Sequence, residues 1–105
     1  MADHRDTMNI AEIPYDSGEV RFRYERRLSS DGKHWIRTGL FQGYHRNGLL
    51  ATEGIYENGT ETGVWRDYHE SGQLAAEGQY REGRKIGVWR YWDVDGKPEP
   101  SEDFG

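Results

Sequence analysis

His45 and His69 are separated by 24 residues, and Asp93 follows at the same interval. Two imidazoles and a carboxylate are ligands for zinc. Their spacing opposes a shared ion. If both strands of each repeated unit lie in one sheet, equivalent residues are two strand spacings apart, about 9–10 Å. Zinc holds its ligand atoms at about 2 Å, so these side chains are expected on turns or on the surface, with no metal and no cofactor. Glu53 and Glu77 have the chemistry of a catalytic carboxylate pair. Such a pair needs two environments that separate acid from base, and copied slots offer two similar ones. Each also has an arginine in its own unit, Arg66 or Arg90, so scaffold pairing is the expected use. Of Ser17, Ser29, Ser30, Ser71 and Ser101, none lies in a Gly-x-Ser-x-Gly elbow. No glycine-rich loop carries a phosphate-binding lysine. The absence of cysteine removes disulfides, thiolate metal sites and thiol nucleophiles. The expectation is a chain that is not an enzyme.

The remaining candidates concern binding. Phe41, Tyr44, Tyr56, Trp65, Tyr68, Tyr80, Trp89 and Trp92 recur at fixed positions. They read first as the stacking of one unit on the next. They read second as a recognition surface, because an open sheet has two faces and a short array cannot bury both. Arg21, Arg23, Arg26 and Arg27 form the one basic stretch, either a solvated strand face or a contact for an acidic partner or lipid headgroups. The segment "ENGTET" carries two acids, whereas "REGRKI" carries three bases and one acid. Variable loops on a repeated frame are a place for specificity. The candidate partner-binding set is therefore Arg21, Arg23, Arg84 and Lys85 among the cations. Among the rings it is Tyr44, Trp65, Tyr68, Trp89 and Trp92.

The elements that must position these residues come from an internal repeat. "EGIYENGTETGVWRDY" at 53–68 returns as "EGQYREGRKIGVWRYW" at 77–92, with eight of sixteen positions identical. A looser copy precedes them, in which Gly39, Phe41 and Tyr44 match Gly63, Trp65 and Tyr68. Each unit reads as two short strands bounded by Gly, Asn, Ser and Asp. "VRFRYERRL" at 20–28 alternates, with Val20, Phe22 and Tyr24 on one side. Frequent glycine disfavours helix, at about 1 kcal/mol for each interior glycine. A four-residue connection over Asn58–Glu61 sets Gly54 opposite Trp65 and Glu53 opposite Arg66. The same rule sets Gly78 opposite Trp89 and Glu77 opposite Arg90. A two-residue turn at Asn58-Gly59 loses both pairings.

The expected organisation is a flexible tail at 1–14, a repeat domain at 15–97 and an acidic disordered tail at 98–105. The repeat units fall at about 15–43, 44–67 and 68–97. Pro98 and Pro100 are expected to stop any further strand. The fold class is all-β: an elongated, meandering antiparallel sheet of about three successive hairpins.

Hydrophobic residues make up only 33% of the 105 residues and aromatics 13%. Rings must therefore supply much of the buried surface. The net charge of −5 repels phosphate, so nucleic acid and anionic lipid are poor partners and a basic protein is a better one. No apolar run is long enough to span a membrane. The opening "MADHRDTMNIAEIP" has no apolar core of a secretory signal, and a cytoplasmic location is expected.

The pattern Tyr-x₃-Gly-x-Leu-x₂-Glu-Gly-x-Tyr-x₂-Gly-x₃-Gly-Val-Trp-x₂-Tyr resembles a MORN repeat, and more closely the bacterial variant in YwqK-type proteins, labelled antitoxins of toxin–antitoxin systems. The resemblance covers about residues 39–97, and 15–38 more loosely. It implies stacked antiparallel hairpins used as an interaction module, with an antitoxin or immunity role towards a toxin as one named function. A membrane-surface or protein scaffold without a toxin is the alternative it allows. A short array also leaves an open edge, which invites another chain or a second copy of this one.

Overall fold

The structure is a computed structural model and describes residues 8–105. Eight strands follow one another: β1 Met8–Pro14, β2 Val20–Leu28, β3 Trp35–Tyr44, β4 Leu50–Glu57, β5 Thr60–Tyr68, β6 Leu74–Arg81, β7 Arg84–Trp92 and β8 Pro98–Asp103. They form one antiparallel sheet in chain order. Principal extents of 53 × 38 × 18 Å describe a single layer, with no second sheet or helix packed on it among the described residues. The expected all-β hairpin meander is what the structure shows, with β2–β3, β4–β5 and β6–β7 as its hairpins.

Both flanks differ from the expected tails. Residues 1–7 of the N-terminal segment lie outside the described residues. Residues 8–14 pair along β2 from Met8↔Arg27 to Pro14↔Val20. Ala11 sits opposite Tyr24 and is buried. Residues 98–103 pair with β7 despite two prolines. β8 is the last strand, so one of its sides needs no ladder donors, and proline is tolerated there. The register also shifts between Trp89 and Tyr91, across from Pro100 and Ser101.

The hairpin connections are tighter than expected, yet the expected register holds. Asn58-Gly59 and Glu82-Gly83 are two-residue turns, with φ of 49° and 88° in one and 50° and 80° in the other. Positive φ at both central residues is the type I′ geometry that matches strand twist. The pairs next to these turns are Glu57↔Thr60 and Arg81↔Arg84. Two residues are then absorbed within the second strand, at Gly63 (φ 69°) and Gly87 (φ 66°). Beyond that bulge the pairs are Glu53↔Arg66 and Glu77↔Arg90. A short turn followed by a bulge therefore reaches the same register as a long turn without one.

A second loop type joins the hairpins. Residues 15–19, 45–49, 69–73 and 93–97 each close with two main-chain bonds of the same pattern, for example His69 N–H to Gln73 O at 2.8 Å and Gly72 N–H to His69 O at 2.9 Å. The sheet therefore has four of these five-residue loops along one end and the hairpin turns along the other.

Candidate functional site

One face of the sheet carries the rings. Trp65 and Trp89 lie flat on Gly54 and Gly78, where an added Cβ would fall inside the indole. Their Nε1–H groups donate to the carbonyls of Ile55 at 3.2 Å and Gln79 at 3.1 Å. Tyr56 and Tyr80 meet them edge-on, with centroids 5.3 and 5.2 Å apart. Tyr80 also meets Trp65 edge-on at 5.8 Å, linking one hairpin to the next. Phe41, Trp65 and Trp89 are only 7%, 7% and 3% exposed, so the rings bury one another without a second layer. Edge-to-face contacts of this kind add about 0.5–1.5 kcal/mol beyond area burial.

The opposite face carries a polar row. Glu12, Arg23, Gln42, Glu53, Arg66, Glu77 and Arg90 are successive cross-strand partners over β1 to β7. Gln42 Nε2–H donates to Glu53 at 2.9 Å, and Arg66 Nε–H donates to Glu77 at 2.6 Å. Glu77 holds the Arg66 guanidinium above the usual arginine range by hydrogen bond and charge. The carboxylates thus have different partners from those expected. Glu77 is held by Arg66 of the preceding hairpin, and Glu53 by Gln42. Each position from Arg23 to Glu77 has a neighbour on each side, and the sequence repeat alone does not choose between them. Leu40, Ile55, Val64 and Val88 flank this row and are exposed.

The histidines have a structural role. His45 Nε2–H donates to Tyr68 O, and His69 Nε2–H to Trp92 O, each at 2.8 Å. Tyr15 OH donates to Tyr44 O at 2.6 Å in the equivalent place. The first side chain of each of the first three loops therefore reaches the strand end of the following unit. Asp93 holds the fourth place, where its carboxylate accepts the N–H of Asp95 and of Lys97 within its own loop, each at 2.9 Å. Among the described residues no three His, Asp or Glu side chains converge as a metal-binding group.

The structure distributes the nine candidate binding residues rather than gathering them. Trp65 and Trp89 are buried as packing rings. Tyr44, Tyr68 and Trp92 are half-buried at the ends of their strands, next to the loops. Arg21 stands over the rings of Phe22 and Tyr15, at 4.9 and 5.5 Å. Arg23 pairs with Glu12 at 3.8 Å. Arg84 is exposed beside its turn. Lys85 lies over Trp89 at 4.7 Å and Phe104 at 5.4 Å.

A feature that shares only Trp92 with that set lies on the ring face near the C-terminus. Asp67, Ala76, Tyr91 and Glu99 are cross-strand partners over β5 to β8. They line an open groove of about 530 Å³ with Trp92 and Pro100. Tyr91 OH donates to Glu102 at 2.6 Å, and this bond, with burial and the carboxylate charge, pushes the phenol up to about 12. Tyr91 therefore stays neutral and a donor. The only signal in sequence was a mismatch between copies: Gly43, Asp67 and Tyr91 share one slot, and Thr52 and Ala76 share another.

Residues 61–82 match the family model described as a MORN repeat variant. The matched stretch is β5, the loop at 69–73 and β6, so the family's unit is centred on the five-residue loop rather than on the type I′ turn. No curated protein and no solved structure matches the chain significantly. No described helix is long and apolar enough to cross a membrane.

Proposed function

We propose that this chain is a non-catalytic, cytoplasmic protein-binding module that engages one protein partner through its sheet. The antitoxin or immunity-type neutraliser is the specific form we favour. One observation carries the binding reading. The side chains with the most reactive chemistry are used inside the scaffold, histidine on carbonyls and glutamate on arginine or glutamine. What is left for function is an 18 Å-thick plate with two broad accessible faces. The MORN-type repeat at 61–82 supports a repeat module. The toxin link rests on the resemblance of the repeat pattern to YwqK-type proteins.

Affinity purification of the tagged chain from its native host tests this reading, followed by reconstitution with the captured protein. A stoichiometric complex that suppresses the partner's toxicity on co-expression is the expected result. A complex without any effect on toxicity would leave a scaffold and remove the neutraliser. Purification as a free chain that instead pellets with anionic vesicles would overturn protein binding in favour of a lipid surface, which the net charge of −5 opposes.

A further inference from the structure

The groove over Ala76 differs from the rest of the ring face. Its lining is mainly apolar, with Ala76 and Pro100 beside the rings of Tyr91 and Trp92. Ala76 is the small side chain of its row, and it leaves a depression between Asp67 on one neighbouring strand and Tyr91 on the other. Three carboxylates border it, Asp67, Glu99 and Glu102, together with His69, whose Nε2–H is already committed to Trp92 O. Asp67 accepts the hydroxyl of Thr52 at 2.7 Å and Glu102 that of Tyr91, so each keeps its second oxygen for another donor. Among the described residues none of the three has a cation within 4.0 Å.

Several other rings of this sheet collect cations from the chain itself, whereas Tyr44, Trp65, Tyr68 and Tyr80 have none among the described residues. Arg37 stands over Tyr24, Phe41 and Tyr56, at 4.8, 5.4 and 5.5 Å. Arg26 stands over Trp35 at 4.3 Å, and Arg46 over Tyr15 at 4.4 Å. Tyr91 and Trp92 have no such cation among the described residues. An aromatic groove edged with unpaired carboxylates attracts a guanidinium, which stacks on a ring and donates to carboxylates in one plane.

We propose that this groove is the docking site for an arginine side chain of a basic segment in the partner protein. The inference rests on the protein-binding reading above and names the chemistry of the partner. A second copy of this chain is the less favoured occupant, since at a net charge of −5 two copies repel one another.

The test uses the full chain and a tetra-arginine amide as the probe, followed by amide NMR and titration calorimetry. Binding should shift the amides of Asp67, Ala76, Tyr91 and Glu102 first. The double variant Glu99→Gln/Glu102→Gln should weaken it on the order of tenfold. The charge-matched control Glu70→Gln/Asp95→Asn, in two exposed loops, should leave it unchanged. Shifts scattered over all acidic loops, or equal weakening by the control, would overturn the proposal. So would self-association in sedimentation that perturbs the same four amides without peptide. Capture of the native partner that is indifferent to Glu99→Gln/Glu102→Gln would also remove the groove while leaving the binding module intact.

Discussion

The β4–β5 and β6–β7 hairpins lay an indole on a bare glycine, whereas the β2–β3 hairpin sets Phe41 against Tyr24 in the same place. All three keep a bulge at a glycine of positive φ: Gly39 at 96°, Gly63 at 69° and Gly87 at 66°. The kink is filled differently. In the later hairpins the indole N–H reaches the carbonyl of Ile55 or Gln79. In the first, Glu25 occupies the equivalent position, and its carboxylate accepts the N–H of Leu40 at 2.9 Å. The first hairpin also replaces the two-residue turn by the loop Ser29–His34. There Ser29 donates to Asp31 at 2.5 Å, and this bond holds the Asp31 carboxyl below its usual range. Strand path and bulge are thus the invariant part of the unit. Ring identity and turn length vary as long as something covers the kink.

The largest effect should come from removing a ring that sits on glycine. Trp89→Ala is expected to cost about 3–5 kcal/mol in urea denaturation, and Phe41→Ala less, because Tyr24 remains to cover the gap. Equal losses would break the distinction between the two kinds of hairpin. Gly78→Ala should cost about 1–3 kcal/mol by overpacking against the indole. The same change in a Trp89→Ala background should be nearly neutral, and a double-mutant cycle without coupling would contradict the stacking. Removing the inter-unit bond by His69→Ala should cost about 0.5–1.5 kcal/mol, read from the shift in denaturation midpoint. The smallest change is a gain. Asn58 suits the left-handed region and Glu82 does not, so Glu82→Asn should stabilise by about 0.5 kcal/mol. A neutral result would show that the two type I′ turns are equivalent despite their residues.

The repeat made much of this sheet legible. A 24-residue echo with glycine, tryptophan and tyrosine in fixed slots fixes hairpin count, ring face and the Glu53↔Arg66 and Glu77↔Arg90 registers. The turns were not legible from register alone, since turn and bulge lengths compensate. The flanking strands lay outside the echo, and their prolines are tolerated because β8 is an edge. Side-chain partners between hairpins were also hidden. Whether Glu77 takes Arg66 or Arg90 depends on geometry between neighbours that both present an arginine. The groove was the least visible feature, because it arises where the copies disagree and repeat analysis weights where they agree.

Sheet order that equals chain order has a kinetic consequence. Every strand pairs only with the one before and the one after it, so each pairing is closed by a short connection and none waits for a distant segment. Low separation between contacting residues favours fast formation, and nearest-neighbour stacking lets growth start at any hairpin. A chain leaving the ribosome can therefore add one strand at a time to a sheet that already exists, with growth confined to one of its two edges.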